Sequence, residues 1–471
     1  MTWTEGRVRA VGTVAIGGLG SLTLIALGAL VVAGATGALP AAAPAAVAGA
    51  LIAVAAWAVL LRHSAVHLTV LMAGFIVLFN SEPGIQTSEV AFGVYYLTYL
   101  FVWVVRRVVF DKARLVRDRL DLLLLAFLGI VTAQAIAAPL YGGDPVLAVN
   151  QWRCTLILAF YFPIRETVRE DPSVLVPLTS AFLVAASYLA IRNLYLYYTG
   201  LQSAEALYQL VFNRSREGER VYAIALIGAV SFAVQPSARP LTRAAAFLIA
   251  VLTGGAIIGG MSRTIWVAIL PALAIQFVAF NAREWRAVGG FLALTAICTA
   301  VAVPLFVGDA FEAVAIGLAL RAGSIASSAS QDLSLINRFY EWNTAIEAAL
   351  QSPVLGRGFG VPYSFYDILY RATDHRPFSH STYIGVFYRH GFVGLGLFLS
   401  LYLGAAWRAA RLVREEAGFR RTLALTTLSA IALLSISIST EGTLLITDGA
   451  YSLMYPLALV GGLWWSREPR P

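Results

Sequence analysis

A histidine and three arginines carry the chemistry this sequence is equipped for. His380 stands in 378-FSHSTYIGVFYRHGFVGL-395, directly before a long apolar run. Histidine is the natural proton acceptor near neutral pH, so His380 is the candidate base, against the plainer reading of a capping or interfacial residue. His375, just upstream, ranks second. Arg263 sits in 261-MSRT-264 between two apolar runs with almost no loop. Its side chain either snorkels to a lipid headgroup or stands inward as a fixed cation. A planar guanidinium binds phosphate oxygens bidentately and keeps its charge. Arg338 has Trp342 one helical turn on. It offers a second phosphate clamp, or else a surface residue paired with Glu341 or stacked on Trp342. Arg220 ends the run 213-NRSREGER-220, where Glu217 and Glu219 neutralise much of the charge. It is the arginine of that run nearest the following apolar stretch. The sequence has no HExxH, no acidic pair spaced for a divalent metal and no nucleophile elbow. Arginines with one histidine point to handling of a phosphate-bearing lipid without metal or cofactor.

These residues must be positioned by elements built for lipid. Of 471 residues, 59% are hydrophobic and 13% charged, where a soluble domain carries about 25% charged residues. Mean hydropathy is +0.75. The chain reads as an all-α, polytopic transmembrane bundle of about 12–14 spans. Candidate spans run roughly over 12–34, 41–61, 68–80, 89–105, 120–139, 151–164, 173–198, 221–235, 244–260, 264–280, 288–307, 381–407, 422–440 and 450–465. The first is too long for a signal-peptide core and reads as an uncleaved span. With the N-terminus in the cytoplasm, most of the 34 basic residues fall in inside loops, which places both termini inside.

That distribution assigns the net charge of +8 to membrane orientation rather than to nucleic acid. The one lysine, Lys112, has no Gly-rich loop before it, so an ATP-binding P-loop is absent. Cys154 and Cys298 lie in apolar runs and suggest neither a disulfide framework nor a zinc site. Gly255 and Gly259 form a small-xxx-small pair that lets two helices approach closely. Three regions follow: 1–307, spans with short loops; 308–380, a large external loop; and 381–471, the C-terminal spans. The loop opens with 322-AGSIASSASQ-331. A surface helix, 335-LINRFYEWNTAIEAAL-350, follows with Ser334 as its N-cap, and stops at Pro353 and 356-GRGFG-360. Arg389 and His390 lie a few turns into the next span and receive no role from the sequence.

From Arg338 to Leu395 the chain reads R-x-x-x-W, then PVLGRGFG, then H-S-x-Y-I, then RHGFVGLGLF. This resembles the signature of the O-antigen ligase and Wzy-type polymerase superfamily, and 261-MSRT-264 after a Gly-rich span is similar to its Ser-Arg motif. The resemblance is tightest over 244–400. It implies a GT-C-like, metal-independent glycosyltransferase of the bacterial inner membrane. Such an enzyme acts at the periplasmic face on undecaprenyl-diphosphate-linked glycan. By the same resemblance His380 matches the catalytic histidine, while Arg263 and Arg338 match the two essential arginines, with Arg220 assisting at the diphosphate. Trp342, Ser381, Tyr383 and His375 are candidates for acceptor contact or support. A chain-length regulator is a candidate partner. Ser381 stands where the family usually has Asn, and Arg389 and His390 replace its usual acidic or neutral residues.

About fourteen spans favour a polymerase; a ligase moving finished glycan onto lipid A-core or another acceptor is the alternative. A glycolipid transporter would share an arginine-lined anion site. A transporter should alternate access and often shows internal repeats and charges near mid-membrane, whereas this chain shows no convincing repeat, concentrates its polar groups on one face and builds one long external loop. A scaffold within an export complex is the non-enzymatic reading.

Overall fold

A computed structural model describes residues 64–77, 87–204, 209, 213–235, 238–307, 311–326 and 333–467. The first two expected spans, 12–34 and 41–61, lie outside the described residues. Every later expected span falls on helix. In chain order these are α1 (Ser64–Val77), α2 (Thr87–Val105), α3 (Arg119–Ala137), α4 (Pro145–Leu156) and α5 (Tyr161–Glu170). Then come α6 (Leu175–Gln202), α7 (Glu219–Val234), α8 (Pro240–Gly260), α9 (Arg263–Ala279) and α10 (Ala282–Val307). Six described helices, or helices with their short extensions, are long and apolar enough to cross a membrane. The protein is an all-α polytopic bundle.

Region 308–380 is more structured than the sequence suggested. It holds α11 (Phe311–Ala326), α12 (Leu333–Ala349) and an antiparallel hairpin of β1 (Tyr363–Asp367) and β2 (Ala372–Arg376). The Gly/Ala/Ser-rich stretch that starts at residue 322 begins inside α11. Three further helices close the chain: α13 (Thr382–Glu415), α14 (Gly418–Ser437) and α15 (Thr447–Trp465).

The apolar core is centred on α15, which is buried nearly all round and packs on α5, α14, α13 and α7. A helix apolar on every side belongs at the centre of a bundle. Phe182 of α6 stacks flat on Tyr455 at 4.0 Å. The Gly255–Gly259 face of α8 meets Leu194 and Tyr197 of α6, the close approach that small residues allow.

At one end of the bundle Asp118 caps α3 by accepting from the Leu120 and Asp121 amides, and it also takes Arg408 (2.8 Å) and the Trp465 indole N–H (3.0 Å). Asp121 pairs with Arg165 and accepts from the Tyr161 hydroxyl at 2.8 Å. Arg165, expected in a loop, is thus buried in α5; the carboxylate allows its burial.

The opposite end is organised by a break in α13. Gly391 has φ 62 and ψ −165, inside a span. In an unbroken helix the N–H groups of Phe392 and Val393 would donate to the carbonyls of Tyr388 and Arg389. Instead the loop 353-PVLGRGFG-360 is inserted between them. Phe392 and Val393 donate to Pro353 and Val354 (2.8 and 3.2 Å), and Arg357 and Gly358 donate to Tyr388 and Arg389 (2.8 and 3.0 Å). All four backbone groups stay satisfied, which lipid demands. Gly356 (φ 75) and Gly391 face each other's backbone strands so closely that a Cβ on either would fall on main-chain atoms.

Gly391→Ala and Gly356→Ala should each destabilise the protein by at least about 1–2 kcal/mol from the left-handed backbone alone, with the steric clash added. Gly396→Ala, whose Cβ would meet nothing within 4 Å, should leave the melting temperature in nanodiscs unchanged.

Candidate functional site

His380 lies between β2 and α13, and the local sequence fixes it from both sides. Gln151 of α4 accepts from the Gly360 amide and donates to the Pro377 carbonyl, both at 3.3 Å, tying the loop to the bundle. Downstream, the Thr382 amide donates to Ile438 (2.8 Å) and its hydroxyl to the Glu441 carbonyl (2.6 Å). The Thr443 amide donates back to the Thr382 hydroxyl at 2.8 Å. Ser381 is the N-cap of α13, accepting from the Ile384 amide at 3.4 Å. Ser and Asn are comparable N-caps, so serine fills this position, where the family usually has Asn, with the cap intact.

The partner of His380 comes from α12. Glu341 is 1% exposed and holds the histidine twice: one oxygen accepts from the His380 backbone amide (2.7 Å), the other meets ring Nδ1 (2.6 Å). A carboxylate on Nδ1 places the ring proton there and leaves Nε2 as the acceptor. The His380 side chain remains 41% exposed. The Tyr363 hydroxyl also reaches Glu341 (3.2 Å) and donates to the Phe378 carbonyl (2.9 Å).

Burial pushes the Glu341 carboxyl up, but the His380 ring and amide together with Arg376 outweigh it and hold the group below the usual carboxylate range. Burial and Glu341 push the Tyr363 phenol up, so it stays a donor. Arg376 is clamped by Asp374, lies 3.8 Å from Glu341 and stacks on Phe365 and Phe378 (4.6 and 5.4 Å). Its Nη1 is 3.3 Å from His380 Nδ1. Since Nδ1 donates to the nearer carboxylate, Arg376 is there a neighbouring charge rather than a donor.

A cleft of about 530 Å³ opens beside this pair. His380, Arg338 and Glu341 line one side, and Asp367, Tyr370 and Asp374 of the hairpin region line another. Asn337 fixes the hairpin to α12 by accepting from the Ile368 amide at 2.8 Å. His375 also lines the cleft, with its Nδ1 on Ser364 at 2.7 Å. The structure thus brings together the expected His380 and Arg338. Glu341 and the hairpin carboxylates were missed as site residues, because Glu341 is 39 residues from His380 and resembles any surface-helix acid.

The other expected residues are placed differently. Trp342 packs edge-on against Phe339 with its indole nitrogen buried, outside the cleft lining. Tyr383 donates to the Ser435 carbonyl (2.9 Å) and packs into the core. Arg220 is 2% exposed and ion-paired with Glu441. Arg263 begins α9 and donates to Ser324 of α11 at 3.3 Å. The next residue, Thr264, meets Thr440 at 3.0 Å. The turn 438–443 therefore links Arg220 and Thr264 to Thr382, two residues beyond His380, in one bonded seam. Arg389 and His390 face the inserted loop: Arg389 lies over Phe359 (5.8 Å), while His390 meets Phe359 edge-on and contacts Gln134. Among the described residues no group of three or more His, Cys, Asp or Glu is placed to hold a metal ion.

Fold and site together define a polytopic helical membrane protein with a histidine–carboxylate pair in a polar cleft at one end of the bundle. Residues 248–399 match the family model described as O-antigen ligase (Wzy_C). This stretch contains Arg263, Arg338 and His380, and the match supports its resemblance to the O-antigen ligase and Wzy-type polymerase superfamily. No curated protein matches the chain.

Because Glu341 has a depressed carboxyl pKa, its contribution to stability is complete above about pH 5 and is lost as pH falls through the folded-state value. The melting-temperature difference between the wild type and Glu341→Gln should therefore be larger at pH 7 than at pH 3.5, measured in the same nanodiscs.

Proposed function

We propose that this protein is a membrane glycosyltransferase. It moves glycan from an undecaprenyl-diphosphate donor to a sugar hydroxyl at the periplasmic face of the bacterial inner membrane, and both its termini are cytoplasmic. The observation that carries the reading is His380, half-exposed in a polar cleft, with Nδ1 on a buried carboxylate and Nε2 left to accept a proton. An acceptor hydroxyl oxygen attacks the anomeric carbon, and the bond from that carbon to the diphosphate oxygen breaks. His380 Nε2 takes the hydroxyl proton, a step typically worth 10²–10⁴ in rate. The lipid diphosphate leaves with the electron pair, and Arg263 and Arg338 stabilise its charge. A single displacement inverts the anomeric configuration. The diphosphate bond supplies the driving force, so ATP is not required, and Arg263 and Arg338 take the place of a metal at the leaving group. Glu341 acts through the histidine as a positioning residue, and Arg220 acts through Glu441.

A polymerase adding a growing chain to a new lipid-linked repeat unit is the reading favoured by the span count. A ligase is favoured by the description of the matching family. The two differ only in acceptor.

Purified protein given a lipid-diphosphate-linked repeat unit in EDTA should yield a ladder of lengthening products on a gel. His380→Ala should cut turnover by at least about 10²-fold. Glu341→Gln should lower kcat by a smaller factor and shift the pH–rate profile, since it changes the charge behind the base. Transfer only after lipid A-core is added would make the protein a ligase. No transfer with either acceptor would refute the glycosyltransferase reading for these substrates.

A further inference from the structure

The proton transfer at His380 leaves one large ring of the cleft unused. Tyr370 lines the cleft and is 82% exposed. An exposed aromatic is ordinary by itself, but here the chain beneath it is built to hold it in place. Tyr370 belongs to the tip between β1 and β2. Three successive amides of that tip are taken by side chains. Ile368 donates to Asn337 of α12 at 2.8 Å, and Leu369 and Tyr370 donate to one oxygen of Asp367 at 2.9 and 3.1 Å. Asp367 is buried, with its second oxygen 3.7 Å from Arg376. The next residue, Arg371, has φ 53, a left-handed conformation that a side chain enters at a cost. The tip is therefore a fixed piece of backbone, and it carries strain where the cleft opens.

The walls around the ring are polar. Asp374, Arg338 and Arg376 line the same cleft, and lipid tails do not enter a space walled by carboxylates and guanidinium groups. Phe378 also lines it and stands edge-on to the His380 ring at 5.8 Å. Arg376 already lies over the Phe378 ring (5.4 Å), so Tyr370 offers the broader open face. A sugar suits such a space. Its hydroxyls donate to carboxylates, while its C–H face, polarised by the neighbouring oxygens, lies on the negative face of an aromatic ring. Trp342 and Tyr383, the aromatic residues expected at the acceptor, are instead packed against Phe339 and into the core.

We propose that Tyr370 is the platform on which a pyranose ring stacks in this cleft, with Asp374 accepting from its hydroxyls, and that this sugar is the acceptor whose hydroxyl meets His380. The hairpin thereby selects an acceptor residue with an open C–H face and a hydroxyl-rich edge. Tyr370 sets specificity and takes no part in bond making. Assignment to the acceptor rests on the glycosyltransferase reading; the sugar site itself does not.

The test begins with saturation-transfer NMR on full-length protein in nanodiscs, irradiating protein aromatic protons in the presence of the methyl glycosides of glucose, galactose, mannose and N-acetylglucosamine. At least one glycoside should receive transfer at its ring C–H protons. Tyr370→Ala should lose most of that transfer and Tyr370→Phe should keep it. Tyr366→Ala removes an exposed tyrosine from the other face of β1, outside the cleft lining, and should behave like the wild type. In the transfer assay with the lipid-linked repeat unit, Tyr370→Ala should raise KM about three- to tenfold with kcat kept at saturation. Its melting temperature should equal that of the wild type, since the ring is exposed. Transfer to no glycoside, or equal transfer in Tyr370→Ala and wild type, would overturn the platform. An unchanged KM would overturn its assignment to the acceptor. Tyr370-dependent NMR transfer in a protein that moves no glycan would keep the sugar site and refute the enzyme reading.

Discussion

The insertion of Pro353–Gly358 into the broken backbone ladder of α13 is the constraint on which the site depends. A span may leave its helical path only if the freed N–H and C=O groups find partners. Here the partners are four groups of one loop, taken in register across Gly391. The exchange pins the chain before His380 to the helix after it. Everything between, including the hairpin and His380 itself, becomes a closed segment anchored at both ends. The glycines at 356 and 391 are required because two main chains meet with no room for a Cβ.

Within that segment the chemistry is arranged by a single carboxylate. Glu341 binds the backbone and the ring of His380 together, so the position and the tautomer of the histidine are fixed by one group. The acid is itself held by Tyr363 and neutralised by Arg376, which the aromatic faces of Phe365 and Phe378 keep in place. A buried carboxylate is costly unless paired and hydrogen-bonded. That cost is met by the same contacts that orient the candidate base, so stability and preorganisation share one network.

The basic residues divide by partner. Arg220 and Arg376 are bound to acids of this chain and act as structure. Arg338 lines the cleft with His380. Arg263, at the start of α9, donates to Ser324 of α11. The seam through Thr440, Glu441 and Thr382 joins Arg220 and Thr264, the neighbour of Arg263, to the segment that carries His380.

The sequence by itself determined the membrane class and the placement of the described spans, and it singled out His380 and Arg338, which the fold brings to one cleft. Those follow from local properties: runs of apolar residues, the cost of charge beside lipid, and a few side chains with distinctive chemistry. What it could not determine was pairing. Glu341 against His380 and Glu441 against Arg220 join residues far apart in sequence, and the free energy of each pair exists only when folding brings the two charges into a dry environment. The same holds for the broken ladder at Gly391, where each half of the hydrogen-bonding pattern lies on a different segment. The hairpin of 363–376 was hidden because polar, loop-like residues form strands there only against α12. Tertiary structure thus decided which acid meets the histidine and which acids hold Arg220 and Arg376, because Coulomb energy and backbone satisfaction depend on distance in space.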